Sequence, residues 1–318
     1  MRISSKIRFS LLLLMTSTLG IGSLTWGQTY GFRTVDVPGA TITAAFGNNA
    51  DDTIVGIYWV KKNFTTSKGY LLKGGTFKTI SYPGAAATFA NGINQSLEIV
   101  GTYLSSNGTS HGFLLKNRAY SQVNYPGAST TYPQWINDHG VIVGQYSDGT
   151  RFHGFVPQGG QFTTQDFPGA AGSGASTLNN AGQIVGFYSL MDPLLNSGLQ
   201  GYLFSGNSFT TIDFPAAQDT VAYGMNNNGQ IAGYYTDNSG INHGFTFIND
   251  SYATLDFPGG TNTVINEIND DGQIVGQYTG SFGSLDYHGF LATPDVGQDQ
   301  PSHSSRPDLG SKKMGVQR

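Results

Sequence analysis

The chain has 318 residues, a formal net charge of −4 and no cysteine, and only 11% of its residues are charged, against about a quarter in an average soluble protein. The lack of cysteine excludes disulfides and thiolate chemistry. With 45 glycines, 17 tyrosines and 20 phenylalanines, the composition favours β-structure with many tight turns.

The first residues have the pattern of a secretion signal. Arg2, Lys6 and Arg8 precede an apolar stretch from Phe9 to Ile21, and mostly small residues follow as far as Gly27. This predicts a signal peptide over residues 1–27 and a secreted protein, extracellular or periplasmic. An uncleaved membrane anchor is the alternative, although the stretch is short for a span of about 20 residues. No later segment is apolar enough to cross a bilayer.

The chain after the signal consists of one domain, residues 28–295, and a polar tail. The tail, residues 296–318, contains Pro, Ser, Lys and Gly without periodicity, so we expect it to be disordered. Within the domain a unit of 42 to 47 residues recurs six times. Its first marker is a proline that follows an aromatic residue or Val, at Pro38, Pro83, Pro126, Pro168, Pro215 and Pro258.

Two further blocks recur in each unit. An Ile-Val-Gly-x-Tyr block begins at Ile54, Ile99, Ile142, Ile184, Ile231 and Ile274, with Ala232 as its one departure at the Val position. A Gly-Phe or Gly-Tyr block begins at Gly69, Gly112, Gly154, Gly201, Gly244 and Gly289. Asn/Asp-Gly turns such as Asn137–Gly140 precede the Ile-Val-Gly-x-Tyr block, and such residues tolerate the left-handed conformation of a hairpin turn.

Each unit therefore contains four strand-like runs. The first carries an Ile-Asn segment, the second is the Ile-Val-Gly-x-Tyr block, the third starts at the Gly-Phe block, and the fourth ends at the proline, as in Phe162 to Phe167 and Phe209 to Phe214. Four strands in about 44 residues match the blade of a propeller. The sequence predicts an all-β fold, a six-bladed β-propeller of four-stranded antiparallel blades; a β-solenoid would need shorter rungs.

The two ends of the domain complement each other. It begins inside a fourth strand, Phe32 to Val37, and stops after a third strand, His288 to Leu291. We therefore expect the N-terminal strand to pair into the last blade and close the ring, which also removes the exposed edges of an open array.

These blocks, Asp-Phe-Pro-Gly-Ala, Ile-Asn-x-x-Gly-Gln-Ile-Val-Gly-x-Tyr and His-Gly-Phe-Leu, resemble the bacterial extracellular HAF-type repeat family, from about Gly31 to Leu291. The resemblance implies an exported bacterial protein with β-propeller-like repeats, and it supplies no catalytic residues. Lys68 and Gln200 depart from its His position, and Ala216 departs from its Gly position.

If the Ile-Asn strand is innermost, the second-to-third loops and the Pro-Gly-Ala crossovers share one face of the disc, here named the loop face. The tight hairpins occupy the opposite, turn face. The loops vary in length and composition, so we assign binding to the loop face. Candidate binding residues are the aromatic side chains there: Tyr58, Trp59, Tyr103, Tyr146, Tyr188, Tyr235, Tyr278 and Tyr287.

These aromatic residues admit two interpretations. They could form a stacking platform for a sugar or another planar, weakly charged ligand. The block tyrosines could instead pack between blades over the block glycine, which lies on the same side of the strand. Trp59 departs from the repeat beside Lys61 and Lys62 and is the best single candidate for binding.

The histidines and the acidic residues indicate no metal site. His111, His153, His243 and His288 are equivalent positions in separate blades, so we expect each to fix its own strand through a local hydrogen bond. Residues 152–295 contain twelve Asp or Glu and no Lys or Arg, which argues against nucleic acid and is compatible with divalent cations such as calcium. No turn has a calcium-loop pattern, however, so we predict no cofactor.

No catalytic motif is present, and we assign no catalytic residue. The favoured function is a non-catalytic, monomeric binding or scaffold module for a glycan or a surface protein. One alternative is a carbohydrate-active hydrolase or lyase that would use loop-face aspartates, namely Asp148, Asp192, Asp219, Asp237 and Asp286. The other is a purely structural envelope protein.

Overall fold

The computed structural model describes residues 28–60 and 66–295. The signal peptide, the tail, Lys61 and Lys62 lie outside these residues. The described strands, in chain order, are β1 (Tyr30–Val35), β2 (Ile42–Asn48), β3 (Ile54–Trp59), β4 (Lys68–Lys73), β5 (Thr76–Ile80), β6 (Ala87–Ile93), β7 (Ile99–Leu104), β8 (Ser110–Lys116), β9 (Ala119–Gln122), β10 (Thr130–Ile136), β11 (Ile142–Ser147), β12 (Phe152–Gln158), β13 (Gln161–Thr164), β14 (Gly172–Leu178), β15 (Ile184–Ser189), β16 (Leu199–Ser205), β17 (Ser208–Ile212), β18 (Asp219–Met225), β19 (Ile231–Thr236), β20 (Asn242–Ile248), β21 (Ser251–Thr254), β22 (Asn262–Ile268), β23 (Ile274–Thr279) and β24 (Tyr287–Pro294).

The strands form six four-stranded antiparallel sheets. Five of them are consecutive meanders, β2–β5, β6–β9, β10–β13, β14–β17 and β18–β21, and the sixth has the order β22-β23-β24-β1. The first strand of each sheet contacts the first strands of both neighbouring sheets, which places these six strands around a common axis. The chain is a six-bladed β-propeller. The predicted fold and the inner position of the Ile-Asn strand are confirmed.

The N-terminal strand closes the ring as predicted. Strand β1 pairs with β24 from Tyr30 opposite Pro294 to Val35 opposite Gly289. The Phe32 ring lies 5.6 Å from that of Phe257, in an edge-on arrangement, and so ties the strand to the preceding crossover. The sixth blade is thus assembled from both ends of the domain.

The outermost strands end earlier than the sequence predicted. Strands β13 and β17 stop at Thr164 and Ile212, short of the predicted ends at Phe167 and Phe214. In β13 the reason is visible, because the Asp166 side chain takes over a ladder position. Its Oδ1 accepts the Gly154 N–H at 3.1 Å, where a continued strand would offer a backbone carbonyl.

The core lies between adjacent blades rather than within one sheet. Each interface buries an aromatic residue of a third strand over the glycine of the Ile-Val-Gly-x-Tyr block. These aromatic side chains are Tyr70, Phe113, Phe155, Tyr202, Phe245 and Phe290, and none is accessible to solvent. The block glycine leaves room both for this ring and for the inner strand behind it.

Asparagine side chains join the blades at the turn face. In five of the six blades the Asn of the Ile-Asn segment, or its equivalent, donates its Nδ2–H to the backbone carbonyl of the equivalent Asn in the next blade, whereas Asn179 donates to Gln183 Oε1. The bonds observed run from Asn49 to Asn94, Asn94 to Asn137, Asn137 to Asn179, Asn226 to Asn269 and Asn269 to Asn49, at 3.0 to 3.3 Å. These bonds fix the turns around the axis, which explains why the Ile-Asn segment recurs.

Hydroxyl side chains hold the crossovers at the loop face. The residue before each repeat proline donates its backbone N–H to a Thr or Ser near the start of the next inner strand. The acceptors are Thr43, Thr88, Thr131, Ser173, Thr220 and Thr263, at 2.9 to 3.1 Å. Across residues 28–60 and 66–295 there is no helix with the length and apolarity of a membrane span.

Candidate functional site

The block tyrosines stack on the crossovers. Five of them lie face to face with the aromatic residue before the repeat proline, with centroids 3.6 to 3.8 Å apart. The pairs are Tyr82–Tyr103, Tyr125–Tyr146, Phe167–Tyr188, Phe214–Tyr235 and Phe257–Tyr278. In the remaining blade Val37 takes the place of the aromatic residue and packs in the same cluster as Tyr58.

The tyrosine hydroxyls are also engaged inside the fold. Five bond to a Thr hydroxyl of the outermost strand in the same blade, at 2.7 to 3.2 Å, and Tyr103 accepts from the Gln122 amide. The threonine partners are Thr79 for Tyr58, Thr164 for Tyr146, Thr211 for Tyr188, Thr254 for Tyr235 and Thr34 for Tyr278. Each side chain therefore connects a crossover to an outer strand.

The candidate platform is thus made of rings that already have packing partners. One face of each stacked tyrosine is covered, and in blade three His153 stacks near the other face of Tyr146, with centroids 4.8 Å apart. Trp59 is 7% exposed, and Tyr287 packs against the same cluster around Ile57. The structure gives the eight candidates packing roles, and ligand binding by them stays a prediction.

A pair of variants at Tyr146 measures the packing role. Tyr146→Ala should lower the free energy of unfolding by about 3 kcal/mol or more, because it removes a buried ring. Tyr146→Phe keeps the stack on Tyr125 and loses only the bond to Thr164, so it should cost about 1 kcal/mol. Urea unfolding measures both changes. Equal losses for the two variants would contradict a packing role for the ring.

Three of the four equivalent histidines form local pairs, as expected, whereas the ring of His111 instead contacts that of Tyr103. His153 Nδ1 lies 2.7 Å from Asp166 Oδ2, and the equivalent pairs His243–Asp256 and His288–Asp36 have the same distance. Each aspartate belongs to an outer-strand segment, so each pair links a third strand to a fourth. Within the described residues no group of three or more His, Asp or Glu side chains is placed to hold a metal ion.

Several loop-face aspartates cap their own loops. Asp148 Oδ1 accepts from the Thr150 hydroxyl and backbone N–H, both at 2.7 Å, and these bonds hold the pKa of the carboxyl well below its usual range. Asp192 accepts from two backbone N–H groups and Asp237 accepts from two others, which also lower their pKa values. A general acid of a glycosidase needs a raised pKa, so these three carboxyls do not fit that role.

The loop face carries most of the exposed apolar side chains. Seven large apolar residues are exposed in the described residues, and six of them follow a second strand. These six are Val60, Leu190, Met191, Leu194, Phe282 and Leu285, whereas Leu97 lies in a turn on the opposite face. Met191 is 78% exposed and Phe282 is 64% exposed. Exposed apolar groups concentrated on one face are typical of an interaction site.

A cavity of about 150 Å³ lies on the axis of the ring. Every inner strand contains a β-bulge, at which one residue has no cross-strand partner. The side chain of this bulged residue points toward the axis. The six bulged residues, Phe46, Asn91, Gln134, Ser176, Tyr223 and Asn266, all line the cavity. Trp135 also lines a second, narrower space among the turn-face asparagines, so its ring lies between the two.

Glu267 lies at this axial cavity and is 1% exposed. Its Oε1 accepts the backbone N–H groups of Met225 and Ile268 at 3.2 and 3.0 Å, and its Oε2 lies 2.9 Å from Thr177 Oγ1. Burial raises the pKa of Glu267 well above its ordinary value. Burial therefore disfavours the ionised form of this carboxyl.

The axial residues are not among the candidate site residues that the sequence indicates. Their signal is divergence inside an otherwise regular repeat, because the two positions before each Ile-Asn segment, or its equivalent, differ in type among the six units. The pairs are Phe46-Gly47, Asn91-Gly92, Gln134-Trp135, Ser176-Thr177, Tyr223-Gly224 and Asn266-Glu267. A scan for positions that break the repeat would have found them.

No family model and no curated protein matches this sequence. The chain is similar in structure to a protein of unknown function from Dyadobacter fermentans, at 11% identity and a TM-score of 0.53, covering 83% of this chain and 99% of that one. It is also similar to the SapL1 lectin in complex with α-methyl fucoside, at 9% identity and a TM-score of 0.51, covering 75% and 88%.

TolB from Acinetobacter baumannii matches at 12% identity and a TM-score of 0.47, over 78% of this chain, and this chain spans about half of TolB, at 53%. At such identities the similarities show the fold alone.

Proposed function

We propose that this chain is an exported, non-catalytic binding module of the HAF-type repeat family, which holds a glycan or a cell-surface partner against its loop face. The observation that carries the proposal is the uneven distribution of exposed apolar side chains. Of the seven found in the described part of the chain, six lie on the face whose loops vary among the blades, and Leu97 lies on the turn face. A rigid ring with variable loops on one face is a common arrangement for binding.

Two further observations support binding over catalysis. The loop-face carboxyls of Asp148, Asp192 and Asp237 are held as anions by their own loops, which suits a structural task. The SapL1 lectin, which shares this fold, is described in complex with α-methyl fucoside. A sugar ligand is a reasonable first class of partner to test.

The test compares the two faces of the ring. The purified chain is applied to a glycan array and to bacterial envelope fractions, together with a double variant, Met191→Ser with Phe282→Ser, and a turn-face control, Leu97→Ser. The double variant should weaken binding at least tenfold, because each burial of such a side chain contributes about 1.5–3 kcal/mol. The control should bind as the unaltered chain does.

Two results would contradict the proposal. One is that neither a glycan nor an envelope fraction binds the chain. The other is that Leu97→Ser weakens binding as much as the double variant does. If the chain binds an envelope protein but no glycan, the chain is still a binding module, and its ligand is a protein instead of a glycan.

A further inference from the structure

The axial cavity has the features of a site for a small molecule, separate from the exposed apolar side chains of the loop face. Its six bulged residues come from six different blades, so the cavity exists only in the closed ring. Asn91, Gln134 and Tyr223 are only half-buried, and the cavity is therefore open to solvent. Phe46, Trp135 and Tyr223 supply aromatic walls.

Glycines provide the space that the large axial side chains occupy. A β-carbon at Gly92 would lie 2.9 Å from Trp135 Cε3, and one at Gly47 would lie 3.1 Å from Trp135 Cζ3. A β-carbon at Gly224 would lie 3.0 Å from Glu267 Oε1. These residues sit at equivalent positions of the repeat, so a small residue in one blade matches a large one in another. The cavity is therefore formed by positions at which the six units differ and at which the differences in side-chain size compensate one another.

The cavity lining contains no basic side chain and one carboxyl. There is no Lys, Arg, His or Asp in it among the described residues, and the carboxyl of Glu267 already bonds to two backbone N–H groups and to Thr177. Burial raises the pKa of Tyr223 to about 12, so this phenol is neutral at neutral pH. A charged ligand would lose its hydration there; an anion would meet no basic side chain, and burial disfavours the ionised form of the one carboxyl that could pair with a cation. The lining therefore favours an uncharged ligand.

Several polar groups at the cavity have no hydrogen-bond partner among the described residues. Ser176 is 4% exposed, and its Oγ makes no hydrogen bond in the described part of the chain. The side-chain amides of Gln134 and Gln145 likewise make none among residues 28–60 and 66–295. Buried polar groups in proteins are nearly always satisfied, so an unpartnered hydroxyl at a cavity indicates a hydrogen-bonding occupant.

Two asparagine side chains are held in place by a bond from the amide nitrogen, while the amide oxygen remains available as an acceptor. Asn91 donates its Nδ2–H to the Pro133 carbonyl at 2.8 Å, and Asn266 donates its Nδ2–H to the Ala45 carbonyl at the same distance. The carbonyl oxygen of each amide has no partner among the described residues. The cavity therefore combines fixed acceptors, a free hydroxyl and aromatic surfaces, which together match a molecule with several hydroxyl groups and apolar C–H faces.

We propose that the axial cavity binds one small, uncharged, hydroxyl-rich molecule, a single sugar unit or a small polyol, through Ser176, Gln134, Gln145 and the oxygens of Asn91 and Asn266. The volume of about 150 Å³ is below the roughly 300–1,000 Å³ of pockets for drug-sized ligands, so the site takes one unit and not an oligosaccharide. The site does not depend on the proposed function of the loop face.

Isothermal titration calorimetry on the full chain tests this site. The neutral probes are glucose, fucose and myo-inositol, and the charged counterparts are glucuronic acid and glucosamine. At least one neutral probe should bind with one site per chain, and the charged sugars should bind at least tenfold more weakly. The enhanced or quenched fluorescence of Trp135, in the cavity wall, gives a second readout.

Matched variants locate the binding. Ser176→Ala should lower the affinity for the neutral probe about fivefold to tenfold, which corresponds to the loss of one hydrogen bond. Gln134→Leu should lower it by a similar factor. Gln161→Leu, on the exposed outer strand β13, is the control and should have no effect. The double variant Met191→Ser with Phe282→Ser should leave cavity binding unchanged, so failure of this site and failure of the loop-face proposal are separable.

Three results would overturn the proposal. The first is that none of the neutral probes binds, which would make the cavity a water-filled space. The second is that charged sugars bind as tightly as neutral ones, a comparison that needs only the unaltered chain. The third is that Ser176→Ala and Gln134→Leu, shown by circular dichroism to be folded, bind as tightly as Gln161→Leu.

Discussion

Replacing Gly276 with alanine should lower the free energy of unfolding by about 3 kcal/mol or more, or abolish folding. Gly276 is the glycine of the Ile-Val-Gly-x-Tyr block in the sixth blade, between β22 and β24. A β-carbon there would overlap the Val264 carbonyl oxygen and would lie 2.7 Å from Phe290 Cε1. Neither group can retreat, because the carbonyl belongs to the inner strand and the ring is fully buried.

The matched control is Gly280→Ala, four residues later in the same blade. A β-carbon at Gly280 would meet nothing within 4 Å, so this variant should unfold within about 0.5 kcal/mol of the unaltered chain. Thermal and urea unfolding followed by circular dichroism measure both variants. Similar stabilities for the two would show that the block glycine is not a steric requirement of the blade interface.

The second large effect is expected at Glu267. Glu267→Ala should cost about 3 kcal/mol or more, because it leaves the buried N–H groups of Met225 and Ile268 without an acceptor, at about 1–3 kcal/mol each. Glu267→Gln should instead retain the bonds. Its Oε1 would accept the same two N–H groups, and its Nε2 would donate to Thr177 Oγ1, which lies 2.7 Å from the Tyr223 carbonyl.

The same residue should make stability depend on pH. The folded state raises the pKa of Glu267 above its ordinary value, chiefly through burial, and the negative charge of Asp270 acts in the same direction, while the bonds from Ile268, Thr177 and Met225 oppose it. The folded state then binds a proton that the unfolded chain loses near pH 4.5. The stability contributed by this group is fully present below that pH and is lost as pH rises toward the folded pKa.

The measurement is urea unfolding of the unaltered chain and Glu267→Gln from about pH 4.5 to pH 8. The glutamine variant should become more stable than the unaltered chain as pH rises, by about 1.4 kcal/mol for each unit of pKa shift crossed. Parallel curves over this range would contradict the raised pKa of Glu267. A glutamine variant as unstable as Glu267→Ala would contradict the bonding pattern.

The sequence predicted the strands and turns of each blade well, because they depend on local residue patterns that recur in every unit. The turn from Asn137 to Gly140 is closed by a bond from the Gly140 N–H to the Asn137 carbonyl at 3.0 Å, as the Asn/Asp-Gly pattern indicates. Ala216, which departs from the Gly position of the crossover, adopts a φ of 63° and keeps the turn of the other blades. The end of β13 was misjudged because the Asp166 side chain replaces a ladder partner.

The sequence offered two roles for the conspicuous aromatic residues. Alternation along the strand places Tyr103 on the same side as the block glycine. The sequence therefore left two roles open for this ring, packing between blades and stacking on a ligand. Only the structure shows that Tyr82, 21 positions earlier and in the preceding crossover, stacks on this ring. Trp59 was singled out as a break in the repeat, and the fold buries it with Ile42 and Ile57.

By itself the sequence determined the number of blades, their strand order and the closure by β1, because each follows from alternation and turn residues within one 42- to 47-residue unit. Only the tertiary structure decided what lies at the axis. Thr177 and Glu267 are 90 positions apart, and Trp135 covers glycines of two other blades. A repeat specifies each inner strand separately, whereas the side chains that meet inside the ring depend on how six strands converge.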